Sequence, residues 1–149
     1  MLAQRNNLTK ATVSAICDEL SALDLICDVG QHRNGIGRPG NLLTINPLGR
    51  GAIGLEISTN YVGALLTNLR GQALWRQTAS VTVGSQQEVI LKQAETLLDT
   101  AREQAQQRAL PLLGIGVAVP DLVDSGRGVI RSAPALGWQD TPLGSRWEA

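Results

Sequence analysis

Apolar residues first recur at helical spacing between Thr9 and about Leu23, where Val13, Ile16, Cys17, Leu20 and Leu23 share one face. Thr9 has the side chain of an N-cap and opens this helix. Ahead of it, Leu2-Ala3-Gln4-Arg5 reads as the end of a short helix, and Asn6-Asn7-Leu8 as a turn with Leu8 facing inward. Leu25 to Val29 is a short apolar strand, and Leu42 to Ile45 is the strand that returns beside it, closed by Asn46-Pro47. The glycine-rich segment from Gly30 to Gly40 must be the loop between them.

From Gly51 the period shortens to two. Ile53, Leu55 and Ile57 alternate as in a half-buried strand, and Tyr61 to Leu69 follows as a second one. Asn68-Leu69-Arg70-Gly71 is a turn signal leading into a third strand, Gln72 to Val83. Ser85-Gln86-Gln87-Glu88 has the form of a capping box. Behind it Ile90, Ala94, Leu97, Leu98, Ala101 and Ala105 form an apolar stripe, ended by Pro111. Leu112 to Val119 is nearly continuous in apolar residues, the pattern of a strand covered on both faces. The order β-β-β-α-β predicts a mixed sheet: a meander, then a crossover helix into a buried strand.

Composition narrows the class. The 149 residues, 43% hydrophobic and 17% charged, suit a folded chain. No run approaches the ~20 apolar residues of a membrane span, and the first residues lack the apolar core of a signal peptide. A cytoplasmic setting is expected, with Cys17 and Cys27 as reduced thiols. One His and two distant Cys supply no metal quartet, so no metal or cofactor is expected. Thirteen basic and thirteen acidic residues balance to zero, which argues against a nucleic-acid partner if the charge is evenly spread.

It is not evenly spread. Residues 1–50 hold five bases and four acids, and the acids cluster between Asp18 and Asp28. Lys10, Thr12 and Ser14 lie in the first turns of the helix opened by Thr9, off its apolar face. Short or flexible polar groups there can reach phosphates and base edges in a major groove. Arg33 and Arg38 stand between glycines in the following loop, the make-up of a wing whose arginine enters a narrow minor groove. The predicted DNA contacts are therefore Thr9, Lys10, Thr12, Ser14, Arg33 and Arg38, in a winged helix-turn-helix over residues 1–48. An amphipathic helix followed by a surface loop is the plainer alternative.

The segments Leu2-Ala3-Gln4-Arg5-Asn6-Asn7-Leu8-Thr9-Lys10-Ala11-Thr12-Val13-Ser14, Asp18-Glu19-Leu20 and Gly37-Arg38-Pro39-Gly40 resemble the N-terminal region of ROK-family transcriptional regulators (repressor, open reading frame, kinase). Gly54-Leu55-Glu56-Ile57 resembles the opening strand of the ROK domain, and Asn68-Leu69-Arg70-Gly71 its hairpin turn. Gly114 to Pro120 with Val123-Asp124, and Ala133 to Trp138, resemble later motifs on the sugar side. The resemblance implies an α/β protein: a winged helix-turn-helix followed by part of an actin-like, ribonuclease H-type N-terminal lobe over residues 49–149. It also implies a double-stranded DNA operator, a sugar or sugar-phosphate effector and a homo-oligomer whose paired heads shift when sugar moves the lobes. The first helix of the DNA-binding domain is expected before Leu2 and the second lobe after Ala149, so the chain is read as a front portion. An exposed half-domain of this kind is expected to be poorly soluble.

The same resemblance sharpens the chemistry. ROK kinases carry Asp-x-Gly-(Gly)-Thr in their first hairpin: a carboxylate for metal–phosphate chemistry, and glycines that let backbone N–H groups approach phosphate. The matching residues here are Glu56, Ser58, Thr59 and Asn60, a degenerate phosphate loop. Thr59 reads as a turn residue, with a shifted hydroxyl donor as the alternative. Asp121 and Asp124 form a carboxylate pair in principle, but their Pro and Ser-Gly neighbours mark them as turn formers. Pro120 and Trp138 are the expected sugar-side residues, with packing as the other role for Trp138. Ala135 stands where the family often has a sugar-binding Asn. The family's Asn-Asp base is not reached by residue 149. The reading is a sugar-responsive repressor and not an enzyme, against a sugar kinase or a non-functional remnant.

Overall fold

The structure, a computed structural model, describes residues 2–32 and 40–147. The chain begins with two helices, α1 (Leu2–Arg5) and α2 (Lys10–Ala22). An antiparallel hairpin of β1 (Ile26–His32) and β2 (Gly40–Ile45) follows, with Ile26 opposite Ile45 and Cys27 opposite Thr44. Thr9 caps α2 as its sequence predicts: its Oγ1 accepts the Thr12 N–H at 3.1 Å. The arginines Arg33 and Arg38 lie outside the described residues.

This head is thinly packed. Val13, Cys17 and Leu20 on α2 are half-buried, whereas Ile16 and Leu23 are exposed, and neither helix buries a residue fully. Leu8, expected inside the turn, is 44% exposed. The reason is geometric: α1 has four residues and too little surface to close over the turn.

The second part is built on a four-stranded sheet of β3 (Gly51–Ile57), β4 (Tyr61–Asn68), β5 (Ala73–Ser80) and β6 (Leu112–Ala118), in the order β5-β4-β3-β6. β3–β4–β5 is an antiparallel meander, and β6 lies parallel to β3, as expected for a crossover through a helix. That helix is α3 (Gln87–Gln107). Its stripe Ile90, Leu91, Ala94, Leu97, Leu98, Ala101 and Ala105 is fully buried. It packs with Ile53, Leu55 and Ile57 of β3 and Val62, Ala64 and Leu66 of β4 in one core. A three-stranded sheet, β7 (Leu122–Asp124), β8 (Val129–Ala133) and β9 (Trp138–Pro142), follows with a short helix α4 (Gly144–Trp147). α4 is tied back to α3, where the Arg146 Nε donates to Glu95 at 2.6 Å and its Nη1 to Glu88 at 3.0 Å.

Three expectations need correction. The Ser85–Glu88 capping box does not form: the N-cap is Gln86, without a side-chain hydrogen bond, and the Ser85 N–H is taken up by the Thr82 carbonyl. The third strand stops at Ser80, because the Val81 N–H turns to the Asn60 carbonyl at 2.8 Å. The apolar run of β6 is not covered on both faces. It is an edge strand in this sheet, and Leu113 and Val117 are 60% and 41% exposed among the described residues.

The β4–β5 turn follows its sequence signal closely. Asn68, 6% exposed, accepts the Arg70 and Gln72 N–H groups on Oδ1, both at 3.0 Å, and its Nδ2 donates to Gln72 Oε1 at 2.9 Å. Gly71 takes the positive φ of 73° that the turn needs. Replacing Asn68 with Ala strands two backbone donors at a part-buried corner, and should cost about 1 kcal/mol of unfolding free energy. Urea denaturation would read this as a lower midpoint at unchanged slope; an unaltered midpoint would count against the role given to Asn68.

Candidate nucleic-acid interface and degenerate phosphate turn

Two groups of predicted site residues fall in different parts of the fold. At the head, Lys10, Thr12 and Ser14 are exposed in the first turns of α2. Lys10 and Ser14 are one turn apart and so share a face. The Thr9 and Thr12 hydroxyls are 2.8 Å apart, which ties both to the cap and sets their direction. The α2 N-terminus leaves further backbone N–H groups unsatisfied beside them, a setting that favours an anion.

In the second part, β3 and β4 are joined by Ser58, Thr59 and Asn60. The Ser58 N–H bonds back to the Tyr61 carbonyl at 2.8 Å, and the Asn60 carbonyl receives Val81. None of these three residues takes a positive φ. The turn is therefore a plain closure and not a concave nest of N–H groups.

Glu56 is exposed on β3, and the ladder pairs it with Gly63. Tyr61, two residues from Gly63 on the same face, reaches it diagonally, and its hydroxyl donates to Glu56 Oε1 at 2.6 Å. That hydrogen bond, with the neighbouring carboxylate charge, raises the Tyr61 pKa above its ordinary value. Sequence reasoning passed over Tyr61. The signal was available, since a Tyr five positions after an acid across a three-residue turn returns to the same sheet face. Glu56 and Tyr61 border an open hollow of about 490 Å³ with Arg76, Thr78, Gly54 and Gly116.

The sugar-side residues behave differently from one another. Pro120 is exposed, two residues before β7. Trp138 opens β9 and is 3% exposed within the core, its Nε1 buried without a hydrogen-bond partner. Pairing of Leu122 with Ser132 and of Ala133 with Trp138 brings both residues to the same end of the small sheet. Asp124 accepts the Arg127 N–H and pairs with Arg131 at 3.3 Å, while Arg131 also holds Asp140 at 2.9 Å. Asp124 is thus a turn former and an ion-pair partner, as its neighbours suggested. Among the described residues no group of three or more His, Cys, Asp or Glu is placed to hold a metal, and no helix is long and apolar enough to cross a membrane.

Comparison with known proteins gives these features a context. Residues 52–149 match the ROK family model. The chain is 35% identical over 137 residues to a putative xylose repressor of Caldicellulosiruptor sp. (strain Rt8B.4), covering 92% of this chain and 34% of that protein. It is 31% identical to the xylose repressor of Caldicellulosiruptor bescii, covering 93% and 35%, and 27% identical to that of Bacillus subtilis, covering 97% and 37%. The chain spans about a third of the length of these curated relatives. In structure it resembles a ROK family transcriptional regulator described as a homolog of the E. coli MLC protein, with a TM-score of 0.75 at 22% identity over 97% of this chain and 36% of that one. A ROK family glucokinase from Streptomyces griseus, in complex with glucose and AMPPNP, gives a TM-score of 0.56 at 20% identity over 66% of this chain and 29% of that one. With the family model matched over most of its length, the chain belongs to the ROK family.

Proposed function

We propose that the chain is the DNA-binding and front sensory portion of a sugar-responsive ROK repressor. In this reading, residues 1–48 form a winged helix-turn-helix and residues 49–149 part of an actin-like, ribonuclease H-type lobe. The observation that carries it is the head: a capped helix presenting Lys10 and Ser14 on one exposed face, followed by an antiparallel hairpin. The likeness to the solved regulator extends over 97% of the chain, that to the glucokinase over 66%, which supports reading the head as a regulator's. α2 then lies in a major groove, Lys10 meets a phosphate, and Thr9, Thr12 and Ser14 face the groove floor or its walls. Arg33 and Arg38 enter the adjoining minor groove. The partner is a double-stranded operator, the effector a sugar or sugar phosphate, and the working form a homo-oligomer.

The lobe is not a kinase in this reading. Glu56 stands where the kinases place their Asp, but its Oε1 is occupied by the Tyr61 hydroxyl. The adjacent turn has Ser58 and Thr59 side chains where glycines would let phosphate approach, and no positive φ to aim N–H groups at it. A sugar would bind toward Pro120 and the start of β9, where Trp138 is held in the core.

Two measurements test these assignments. On a mixed-sequence duplex, Lys10→Ala should weaken binding and reduce the slope of log K against log salt by about one unit; an unchanged slope would remove Lys10 from the phosphate contacts. Tyr61 is the chain's single tyrosine, so absorbance at 295 nm titrates it alone. Its phenol should ionise above the ordinary value near 10, because deprotonation loses the bond to Glu56 and sets two anions together. The raised folded value means that this bond contributes stability in full below about pH 10, and the contribution disappears as pH climbs through the folded pKa. Glu56→Gln should bring the midpoint down; the same midpoint in both proteins would show that the pair does not form.

A further inference from the structure

The segment joining the head to the sheet is bonded along its length. The Asn46 N–H donates to the Leu25 carbonyl at 3.0 Å, and Asn46 Oδ1 accepts the Leu48 N–H at 3.1 Å. Gly49 is buried and returns its N–H to the Asn46 carbonyl at 3.3 Å. A Cβ at Gly49 would overlap the Asp24 carbonyl oxygen and come within 2.9 Å of Asn46 Nδ2. Arg50 Nε donates to the Leu23 carbonyl at 3.3 Å. The next residue fastens to the body, where the Gly51 N–H meets the Pro111 carbonyl at 2.9 Å. Such a segment differs from a flexible linker, whose backbone is solvated and whose glycines are free of contacts.

A second contact lies elsewhere. Arg70, exposed at the β4–β5 turn, donates from Nη2 to Thr44 Oγ1 on β2 at 3.0 Å. The turn that presents it is fixed by the three hydrogen bonds of the Asn68 side chain. One attachment, at Leu23 to Leu25, would leave the head free to swivel about residues 46–50. A second attachment, on a different element of the head, removes that rotation.

From these contacts we infer that residues 46–50 and the β4–β5 turn form a rigid joint, in which Gly49 and Arg70 are positioning residues that fix the head's orientation on the sheet. Its bearing on operator geometry rests on the DNA-binding reading above; the joint itself does not. Gly49 permits the close approach to Asp24, and Arg70 holds the hairpin against the sheet. In a dimeric regulator this would make the body set the angle of each head, without an independent swivel between them.

Backbone ¹⁵N relaxation of the 149-residue chain tests this without DNA. Amides of α2 and of β3–β5 should report one rotational correlation time. Gly49→Ala should shorten the value for head amides by roughly a factor of two, as for a small body on a loose tether, while the sheet amides keep theirs. Collapse of the head signals with the sheet spectrum intact would equally show that the head depends on the joint. Arg70→Ala, a change at an exposed side chain, should shorten the head value by a smaller factor, and it decides the matter if Gly49→Ala fails to fold. Independent tumbling of the head in the unmodified chain, or unaltered head relaxation in Arg70→Ala, would overturn the joint. Duplex binding measured in parallel keeps the two readings apart: common tumbling without binding would retain the joint and reject the DNA role.

Discussion

The register between β3 and β4 governs where everything else in the body can lie. With Ile57 opposite Val62 and Ile53 opposite Leu66, one face of the pair presents an unbroken apolar surface to α3. A slip of one residue would turn that whole set outward and leave the buried stripe of α3 without a partner. The same alternation necessarily sends Gly54, Glu56, Gly63 and Leu65 to the opposite face. The candidate chemistry of the hairpin is therefore located by the core: Glu56 stands in the hollow because Leu55 and Ile57 cannot.

That arrangement also keeps the packing of the sheet apart from the polar groups on its open face. A carboxylate serving phosphate transfer must be free to meet a metal, and the adjoining turn must expose N–H groups. Here the hydroxyl of Tyr61 occupies the carboxylate and the turn closes on itself through Ser58 and Tyr61. Neither change disturbs the core, since both lie on the open face or at the turn. The core and the candidate chemistry depend on opposite faces of the same strands.

Much of this was legible in the sequence, and the reasons are specific. Strict alternation in β3 and the α3 stripe fixed their inward residues, and Asn68-Leu69-Arg70-Gly71 announced its turn through residue types with one favoured geometry. Thr9 capped α2 as read, because capping is a contact between residues three apart. The failures involve groups distant in sequence or the neighbours of a strand. An apolar run gives hydrophobicity but no count of covering elements, so the run of β6 fits an enclosed strand although it lies at an edge. Ser85 was read as a cap, but its N–H is taken up in the preceding turn and the helix starts one residue later. Pairings such as Arg70 with Thr44 and Arg146 with Glu88 leave no local signature at all. The DNA-contact and sugar-side residues follow from residue type and family resemblance alone, because no short-range pattern encodes a contact with a ligand.

The head contains no helix with a fully buried residue, while Gly49 beside it is enclosed. Its shape is therefore underwritten from outside, by Arg50 and Arg70, which donate to the Leu23 carbonyl and to the Thr44 hydroxyl on the hairpin. In a genetic screen this would blur the usual map between lesion and phenotype. If α2 meets an operator as proposed, substitutions at Gly49, Asn68 or Arg70, none of them on α2, would score as binding defects and be grouped with changes at Lys10.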